Sequence, residues 1–163
     1  MVRLHTNFGN IDLELYPVHA PETVKNFLAY VESGFYANTL FHRVIDGFMI
    51  QGGGFEPGMR PKTTRGAVKN EADNGLKNEA YSIAMARTSE PHSASSQFFI
   101  NVKNNPFLDY TASNPQGWGY CVFAKVVEGR DTVDKIKQVK TGKRGVHGDV
   151  PIEDVIVQRA EVI

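Results

Sequence analysis

The stretch FHRVIDGFMIQGGG, from Phe41 to Gly54, carries the strongest structural signal of the chain. It is rich in phenylalanine, valine, isoleucine and methionine, which favour buried β-strands. Arg43 nevertheless lies within it, and a guanidinium is costly to bury without a partner. At the two-residue period of a strand, Arg43 is expected to share a face with Phe41 and Ile45. The stretch therefore predicts strands on which a charged side chain lies among apolar ones.

Short apolar segments of the same kind recur along the chain. The opening residues alternate apolar and polar side chains on both sides of NFGN, which predicts a β-hairpin. Later candidates are YSIAMAR, QFFINV, YCVFAKVV and the closing EDVIVQRAEVI. Seven or eight short strands favour a mainly β fold, either an antiparallel barrel or a sandwich, and closure into a barrel removes exposed edges.

Two helices are expected beside these strands. In APETVKNFLAYVESG, Pro21 suits the first helical position, and Gly34 suits the end. Apolar residues recur between them at helical spacing. A shorter helix is predicted to begin near Asp131, to bury Val133 and Ile136, and to end before Gly142. The two helices are expected to cap the ends of the barrel.

Composition restricts the class of protein. The 163 residues suggest a single domain spanning residues 1–163, with 41% hydrophobic and 22% charged residues. The formal net charge is zero, whereas nucleic-acid binders usually carry a basic surplus, so no nucleic-acid partner is expected. No apolar run has transmembrane length, and the first residues do not resemble a secretory leader, so we expect no membrane association and a cytoplasmic location. Cys121 is the one cysteine and excludes an internal disulfide.

Several common chemistries find no support in the sequence. The five histidines are scattered and match no metal-ligand spacing, so neither a metal nor a cofactor is expected. No serine lies in a G-x-S-x-G motif. GGGFEPG lacks the lysine and hydroxyl residue of a phosphate-binding loop, which favours a structural turn. The basic stretch KIKQVKTGKR is interpreted as a solvated helix end and turn.

Three apolar segments each contain one polar residue that a buried strand does not need, namely Arg43, Gln51 and Gln97. At period two, Gln51 shares a face with Met49, and Gln97 shares a face with Phe99. Taken singly, each polar side chain is best explained by hydrogen bonds to nearby backbone. Taken together, they are typical of a ligand groove with apolar walls and a few fixed polar groups.

Longer strings make the pattern specific. The segments FHRVIDGFMIQGGG, KNEADNGLKN, AMARTSEPHSASSQFFINV, NPFLD and GWGYCVFAKVVEGRDTVDKI, in this order, resemble the cyclophilins. The resemblance covers the whole chain, and QGWGYCVF is similar to the bacterial cytoplasmic branch of that family. It implies a mainly β fold, a closed eight-stranded antiparallel barrel capped by two α-helices. It also implies a peptidyl-prolyl cis-trans isomerase that assists protein folding.

The resemblance also assigns a site. It places the catalytic role on Arg43 and the proline pocket on Phe48, Met49, Phe99 and Leu108. Gln51 and Gln97 correspond to groove-lining amides. The backbone at Ala86 and Arg87 corresponds to the strand edge that holds the substrate chain in extended form. Phe107 and Tyr120 correspond to the remaining wall.

The chain departs from the family pattern at some of these positions. Phe107 stands where many eukaryotic members have tryptophan, so the indole N–H is missing and cyclosporin binding is expected to be weakened. Tyr120 replaces a histidine of those members, and Arg87 stands where asparagine is common.

The expected partners are proline-containing peptides and unfolded or folding proteins, bound by a monomer. The alternative is a chaperone or scaffold module that binds proline segments with little catalytic role. A barrel that carries a small apolar molecule is the weakest of the three hypotheses, because large side chains on the strands are expected to fill the interior.

Overall fold

The computed structural model describes residues 1–163, and β-strands dominate it. In chain order the elements are β1 (Val2–Thr6), β2 (Gly9–Leu15), α1 (Pro21–Glu32), β3 (Thr39–Ile45), β4 (Met49–Gly52), β5 (Phe55–Glu56), β6 (Arg60–Pro61), β7 (Ser82–Met85), β8 (Phe98–Asn101), β9 (Val122–Glu128), α2 (Arg130–Lys137), β10 (Thr141–Arg144), β11 (His147–Pro151) and β12 (Ile156–Val162). Short 3₁₀ turns occupy Ala72–Asn74 and Pro106–Leu108. No helix is both long and apolar enough to span a bilayer.

Eight of the strands close into an antiparallel barrel in the order β1-β12-β3-β4-β8-β7-β9-β2. This confirms the barrel, and β1 and β2 form the predicted opening hairpin. Alternate residues of each strand fill the interior, where 28 buried side chains form one hydrophobic cluster. Large aromatic rings such as Phe41, Phe98 and Phe123 occupy this cluster, so the interior is packed and does not form a ligand cavity.

The two helices lie over opposite ends of the barrel. Phe27 of α1 packs against Phe98 and Phe123, which lie where β8 and β9 begin. The side chain of Asp134 in α2 accepts a hydrogen bond from Tyr81 Oη at 2.9 Å, just before the start of β7. Because neighbouring strands are antiparallel, these contacts mark the two different ends, as the sequence predicted.

Helix α1 has a capping arrangement that its own sequence does not reveal. Its N-cap residue, Ala20, offers no side-chain acceptor. Glu71, from the long segment between β6 and β7, accepts hydrogen bonds from the backbone N–H and the hydroxyl of Thr23, both at 2.7 Å. A carboxylate at this position satisfies the free N–H groups and complements the helix dipole.

The expectation that Arg43 shares a face with Phe41 is wrong, because β3 contains a β-bulge. The pairing with β4 joins Phe41 to Gly52 and Arg43 to Gln51, so His42 is an extra residue. Phe41 therefore points into the barrel core, whereas Arg43 and Ile45 lie on the outer surface. The bulge explains how a charged side chain is accommodated on an apolar strand.

Two short hairpins lie outside the barrel, β5–β6 and β10–β11. Helix α2 ends at Lys137, and the following residues do not form only a solvated turn, because Thr141–Arg144 pairs with β11. Strand β10 has the sequence TGKR and contains no apolar residue, so apolar alternation could not predict it. The rings of Phe55 and His147 come within 4.5 and 6.5 Å of the His42 ring, so both hairpins cover the bulge.

Candidate functional site

The outer face of β4, β8 and β7 bears a second, smaller apolar cluster. Its buried members are Met49, Ala84, Ala86, Phe99 and Val122. Partly buried side chains surround it and leave an open depression of about 70 Å³, called here the apolar pocket. The pocket is lined by Arg43, Phe48, Met49, Ala86, Arg87, Phe99, Leu108 and Tyr120. Its floor is apolar and buried, and its two charged residues lie at the rim, which suits a small apolar ring attached to a polar chain.

A polar depression of about 240 Å³ adjoins the first, and we call it the polar pocket. Its lining residues are Gln51, Ala86, Arg87, Thr88, Ser93, Ser95 and Gln97. Gln51 donates from Nε2 to Gln97 Oε1 at 2.9 Å, so the two amides fix each other's orientation. The two pockets share Ala86 and Arg87 and together form a continuous groove.

Arg43 lies on the outer face with few restraints from the protein. Its one hydrogen bond runs from Nη1 to Gln51 Oε1 at 3.5 Å, and the side chain forms no ion pair within the chain. The bulge at His42 aims it towards the groove instead of the core. The guanidinium is therefore a charged donor that borders the apolar pocket and remains free to bind another group.

Arg87 is held more firmly. Its Nε and Nη2 donate to the Gly119 carbonyl at 3.1 and 2.9 Å, and Nη1 donates to the Thr88 carbonyl at 2.9 Å. The guanidinium also lies over the Tyr120 ring, 4.4 Å from its centroid, which is a cation–π contact. The backbone N–H of Arg87 donates to no group of the chain, and its carbonyl accepts from none. One residue thus presents a fixed cation and a free strand edge to the groove.

A buried network of asparagines holds the loop after β8 against the barrel, and the sequence analysis missed it. Asn101 donates to Asn78 Oδ1 at 3.1 Å and to Ser82 Oγ at 3.0 Å, and Asn105 donates to Asn101 Oδ1 at 2.8 Å. Asn105 also donates to the Phe48 carbonyl at 2.9 Å. This network fixes the loop that carries Leu108. The signal available in the sequence was the presence of Asn101 and Asn105 at and just after the end of the apolar strand β8.

Gly119 allows two chain segments of the site to cross closely. Its φ is +68°, and a Cβ there would lie 2.6 Å from the backbone nitrogen of Tyr110 and 2.7 Å from the carbonyl oxygen of Leu108. Only glycine accommodates both the backbone angle and this approach. The crossing brings the Gly119 carbonyl to Arg87 and places Tyr120 against Phe99, with ring centroids 5.7 Å apart.

Phe107 lies at the rim and is 71% exposed. Its ring stacks on Phe48, with centroids 5.7 Å apart and planes inclined by 27°. An exposed aromatic ring beside an apolar pocket extends the apolar surface offered to a ligand. With Phe107, the structure brings all eleven predicted site residues to one groove.

The histidine next to Arg43 has an unusual environment. His42 is 6% exposed, and its Nδ1 has no hydrogen-bond partner. Burial, together with the nearby His147 and Arg43, lowers the pKa of the His42 imidazole from 6.5 to about 4. His42 is therefore neutral near pH 7 and adds no charge beside Arg43.

The groove offers binding groups but no activated nucleophile. Cys121 is buried, which raises the pKa of its thiol to about 11. No group of three or more histidine, cysteine, aspartate or glutamate side chains is arranged to hold a metal ion. The groove residues can bind an apolar ring, form hydrogen bonds with an extended backbone and direct a cation at the bound chain.

Comparisons with known proteins agree with this geometry. Residues 1–162 match the family model described as cyclophilin type peptidyl-prolyl cis-trans isomerase. The chain is 62% identical to peptidyl-prolyl cis-trans isomerase B of Escherichia coli K12, covering 99% of both chains. It is 57% identical to peptidyl-prolyl cis-trans isomerase cyp18 of Streptomyces antibioticus, covering 99% of this chain and 98% of the relative.

A solved structure supports the same assignment. The crystal structure of a Cryptosporidium parvum cyclophilin type peptidyl-prolyl cis-trans isomerase, obtained in the presence of the dipeptide Ala-Pro, superposes with a TM-score of 0.84 at 31% identity, covering 99% of this chain and 98% of that one. The barrel, the apolar pocket bordered by an arginine and the full-length matches lead to one conclusion. The chain belongs to the cyclophilin-type peptidyl-prolyl cis-trans isomerases, resembles their bacterial branch and catalyses the cis-trans isomerisation of X-Pro peptide bonds.

Proposed function

We propose that Arg43 is the catalytic residue and that the apolar pocket binds the proline ring. The observation that carries the proposal is the location of a guanidinium without an ion-pair partner at the rim of a pocket whose floor is apolar. As the X-Pro bond twists, amide resonance is lost and the proline nitrogen gains a lone pair. A guanidinium directed at that nitrogen stabilises the twisted state more than either planar isomer, which lowers the barrier.

The required acceleration is within reach of one well-placed donor. Uncatalysed X-Pro exchange takes roughly tens to hundreds of seconds. A turnover of about 10 per second then needs roughly a thousandfold acceleration, or about 4 kcal/mol. A preorganised donor in a sheltered site supplies about 2.7–4 kcal/mol. The reaction therefore needs no nucleophile, metal or cofactor, since no covalent bond is made or broken.

The other groove residues would hold the substrate while one side of the bond rotates. The ring is gripped by Phe48, Met49, Phe99 and Leu108, which line one pocket. The free backbone groups of Arg87 pair with the extended chain, and Gln51 and Gln97 bind its polar groups. Ala86, Phe107 and Tyr120 supply the adjacent walls. A relative whose structure was obtained in the presence of Ala-Pro supports a proline-containing ligand for this groove.

The test is NMR exchange spectroscopy on a blocked Ala-Pro peptide with wild type, Arg43→Ala and the control Arg159→Ala. Arg159 lies on β12 and pairs with Glu161 at 2.9 Å. We expect Arg43→Ala to lower catalysed exchange by about 100- to 1,000-fold while its circular dichroism stays that of the wild type. We expect the control to retain activity. Full activity in a folded Arg43→Ala variant would remove Arg43 from the mechanism.

A module that binds proline segments without catalysis is the alternative. It would need the apolar pocket but not a guanidinium with no ion-pair partner beside it, so the presence of Arg43 favours the enzyme. Peptide binding by the wild type without faster exchange would favour the binding module instead.

We propose that the physiological substrates are unfolded or folding proteins in the cytoplasm and that residues 1–163 form a single, monomeric isomerase domain. Zero net charge favours neither nucleic-acid nor membrane-surface binding. Faster refolding of a protein limited by proline isomerisation, by wild type but not by Arg43→Ala, would support this role. Sedimentation of the purified chain at the mass of a dimer would contradict the monomer.

Cyclosporin binding is proposed to be weak because Phe107 offers no N–H donor where an indole would. Phe107→Trp restores an indole N–H at an exposed rim position, so it should tighten cyclosporin binding measured by calorimetry. Unchanged affinity would show that residue 107 does not limit binding.

A further inference from the structure

The groove contains two guanidinium groups that no carboxylate of the chain neutralises. Of the arginines outside the groove, Arg3 pairs with Asp12 at 2.8 Å, Arg144 with Asp154 at 3.5 Å and Arg159 with Glu161 at 2.9 Å, whereas three others form no ion pair. Arg43 and Arg87 form no such pair. The chain as a whole is neutral, so this local positive charge is a property of the groove.

Arg87 is built as a fixed binding group. Its three hydrogen bonds go to the carbonyls of Gly119 and Thr88, which are neutral and leave the positive charge uncompensated. Of the five guanidinium N–H groups, these bonds leave one free on each terminal nitrogen. Packing over the Tyr120 ring further restricts the side chain. A carboxylate that reaches Arg87 therefore meets a preorganised cation, and little side-chain entropy is lost on binding.

The surroundings of Arg87 favour an acidic ligand. The polar pocket is lined by the hydroxyl groups of Thr88, Ser93 and Ser95 and by the amides of Gln51 and Gln97. No aspartate or glutamate lines either pocket. An acidic side chain would meet one cation and otherwise only neutral groups there, whereas a lysine would meet the like charge of Arg87.

The arrangement of the two pockets limits how far this acidic residue lies from the proline. They meet at the consecutive residues Ala86 and Arg87. An extended chain advances about 3.3 Å per residue, so a peptide with its proline in the apolar pocket reaches the polar pocket within about two residues.

We infer that the enzyme prefers X-Pro segments with a glutamate or aspartate within two residues of the proline, and that Arg87 determines this preference. This inference rests on the proposed binding mode, in which the proline ring occupies the apolar pocket. Arg87 acts here as a specificity residue, and its guanidinium takes no part in the bond rotation.

The test compares blocked proline peptides that differ only in carrying glutamate or glutamine at one of the two positions on either side of the proline. The readout is the ratio of kcat/KM for the glutamate peptide to that for its glutamine partner, so a general loss of activity in a variant cancels. For wild type at low salt we expect a ratio of roughly two to five at one or more positions, the size of a partly screened ion pair. Raising the ionic strength to about 1 M should bring this ratio towards one, because the Debye length falls to about 3 Å.

Two variants separate local from overall charge. Arg87→Gln should bring the ratio to about one, whereas Arg159→Gln makes the same change in net charge on β12 and should leave the ratio as in wild type. A ratio near one at all four positions in wild type would overturn the inference, as would a preference that persists in Arg87→Gln. If wild type accelerates none of the glutamine peptides, the proposed function itself fails, which is a different result from equal acceleration of both members of each pair.

Discussion

The inner and outer faces of β3, β4, β8 and β7 are made from the same strands but differ in burial and polarity. The inner face carries Phe41, Ile50 and Phe98, which are at most 1% exposed and belong to the 28-residue core. The outer face carries Arg43 and Gln51, which lie beside an apolar cluster of only five buried residues. Neighbouring residues of one strand thus serve either stability or binding.

The difference shows how a small barrel carries a site without weakening its core. Charged and amide groups on the outer face stay in contact with solvent, so their desolvation cost is small. The inner face has no room for such groups, because its aromatic rings are packed against one another. Substitutions on the two faces should therefore change different quantities, namely the free energy of unfolding inside and kcat/KM outside.

The largest expected effect comes from the adjacent residues Phe98 and Phe99. Phe98 contacts the rings of Phe27 and Tyr36, and Phe98→Ala should lower the free energy of unfolding by about 3–5 kcal/mol in urea titrations. The folded fraction of this variant should keep its kcat/KM. Phe99→Ala enlarges a pocket that already opens to solvent, so it should cost less stability and more activity. Equal losses of stability and activity in both variants would contradict the separation of the faces.

The next largest effect is expected in the pH dependence of the free energy of unfolding, because the outer face carries a buried titratable group, His42, at the bulge. The unfolded chain protonates His42 near pH 6.5, whereas the folded protein does so only near pH 4. The unfolded state binds more protons between these values, so the free energy of unfolding falls as the pH drops from 6.5, with a full loss of about 3 kcal/mol below pH 4. Above pH 6.5 this contribution vanishes.

His42→Phe removes the titration while keeping an aromatic ring beside Phe55 and His147. Its stability should therefore fall less than that of wild type between pH 7 and pH 4. Asp12, whose pKa is lowered below 3.8 by its hydrogen bond to Arg3, contributes stability that is lost mainly below pH 4, and this loss is equal in both proteins. Parallel stability curves for wild type and variant would show that His42 is not responsible.

The bulge also marks the limit of what the sequence predicts. Alternation correctly predicted that Gln51 shares a face with Met49 and Gln97 with Phe99, because β4 and β8 pair without interruption, and the structure shows that this is the outer face. It failed at Phe41, because one extra residue reverses the alternation and no local composition signals it. The barrel and the groove residues were predicted because long apolar segments and family-like strings carry that information. The asparagine network was missed because its partners are far apart in sequence and meet only in the folded chain.

A smaller effect is expected where the two faces are joined by that network. Asn101→Ala leaves the buried Asn78 Oδ1 without its hydrogen-bond donor and removes one of the two bonds that the Asn105 amide donates, which should cost about 1–3 kcal/mol of stability. It should also lower kcat/KM, since the loop carrying Leu108 loses an anchor. The exposed Asn104, which bonds the Ala80 N–H at 2.9 Å, gives the matched control Asn104→Ala with a smaller loss of stability and normal activity. Unchanged kcat/KM in Asn101→Ala would limit the network to a structural role.

The smallest expected effect on stability lies at the rim of the outer face. Phe107 is 71% exposed, so Phe107→Ala should change the free energy of unfolding by no more than about 0.5 kcal/mol. If its stack on Phe48 extends the binding surface, KM for a proline peptide should rise roughly two- to tenfold, the equivalent of one aromatic contact. Val146, 95% exposed between β10 and β11, provides the control Val146→Ala, which should alter neither quantity. An unchanged KM in Phe107→Ala would show that the binding surface extends only to Phe48 and Leu108. An exposed aromatic ring would then not be a sign of the groove.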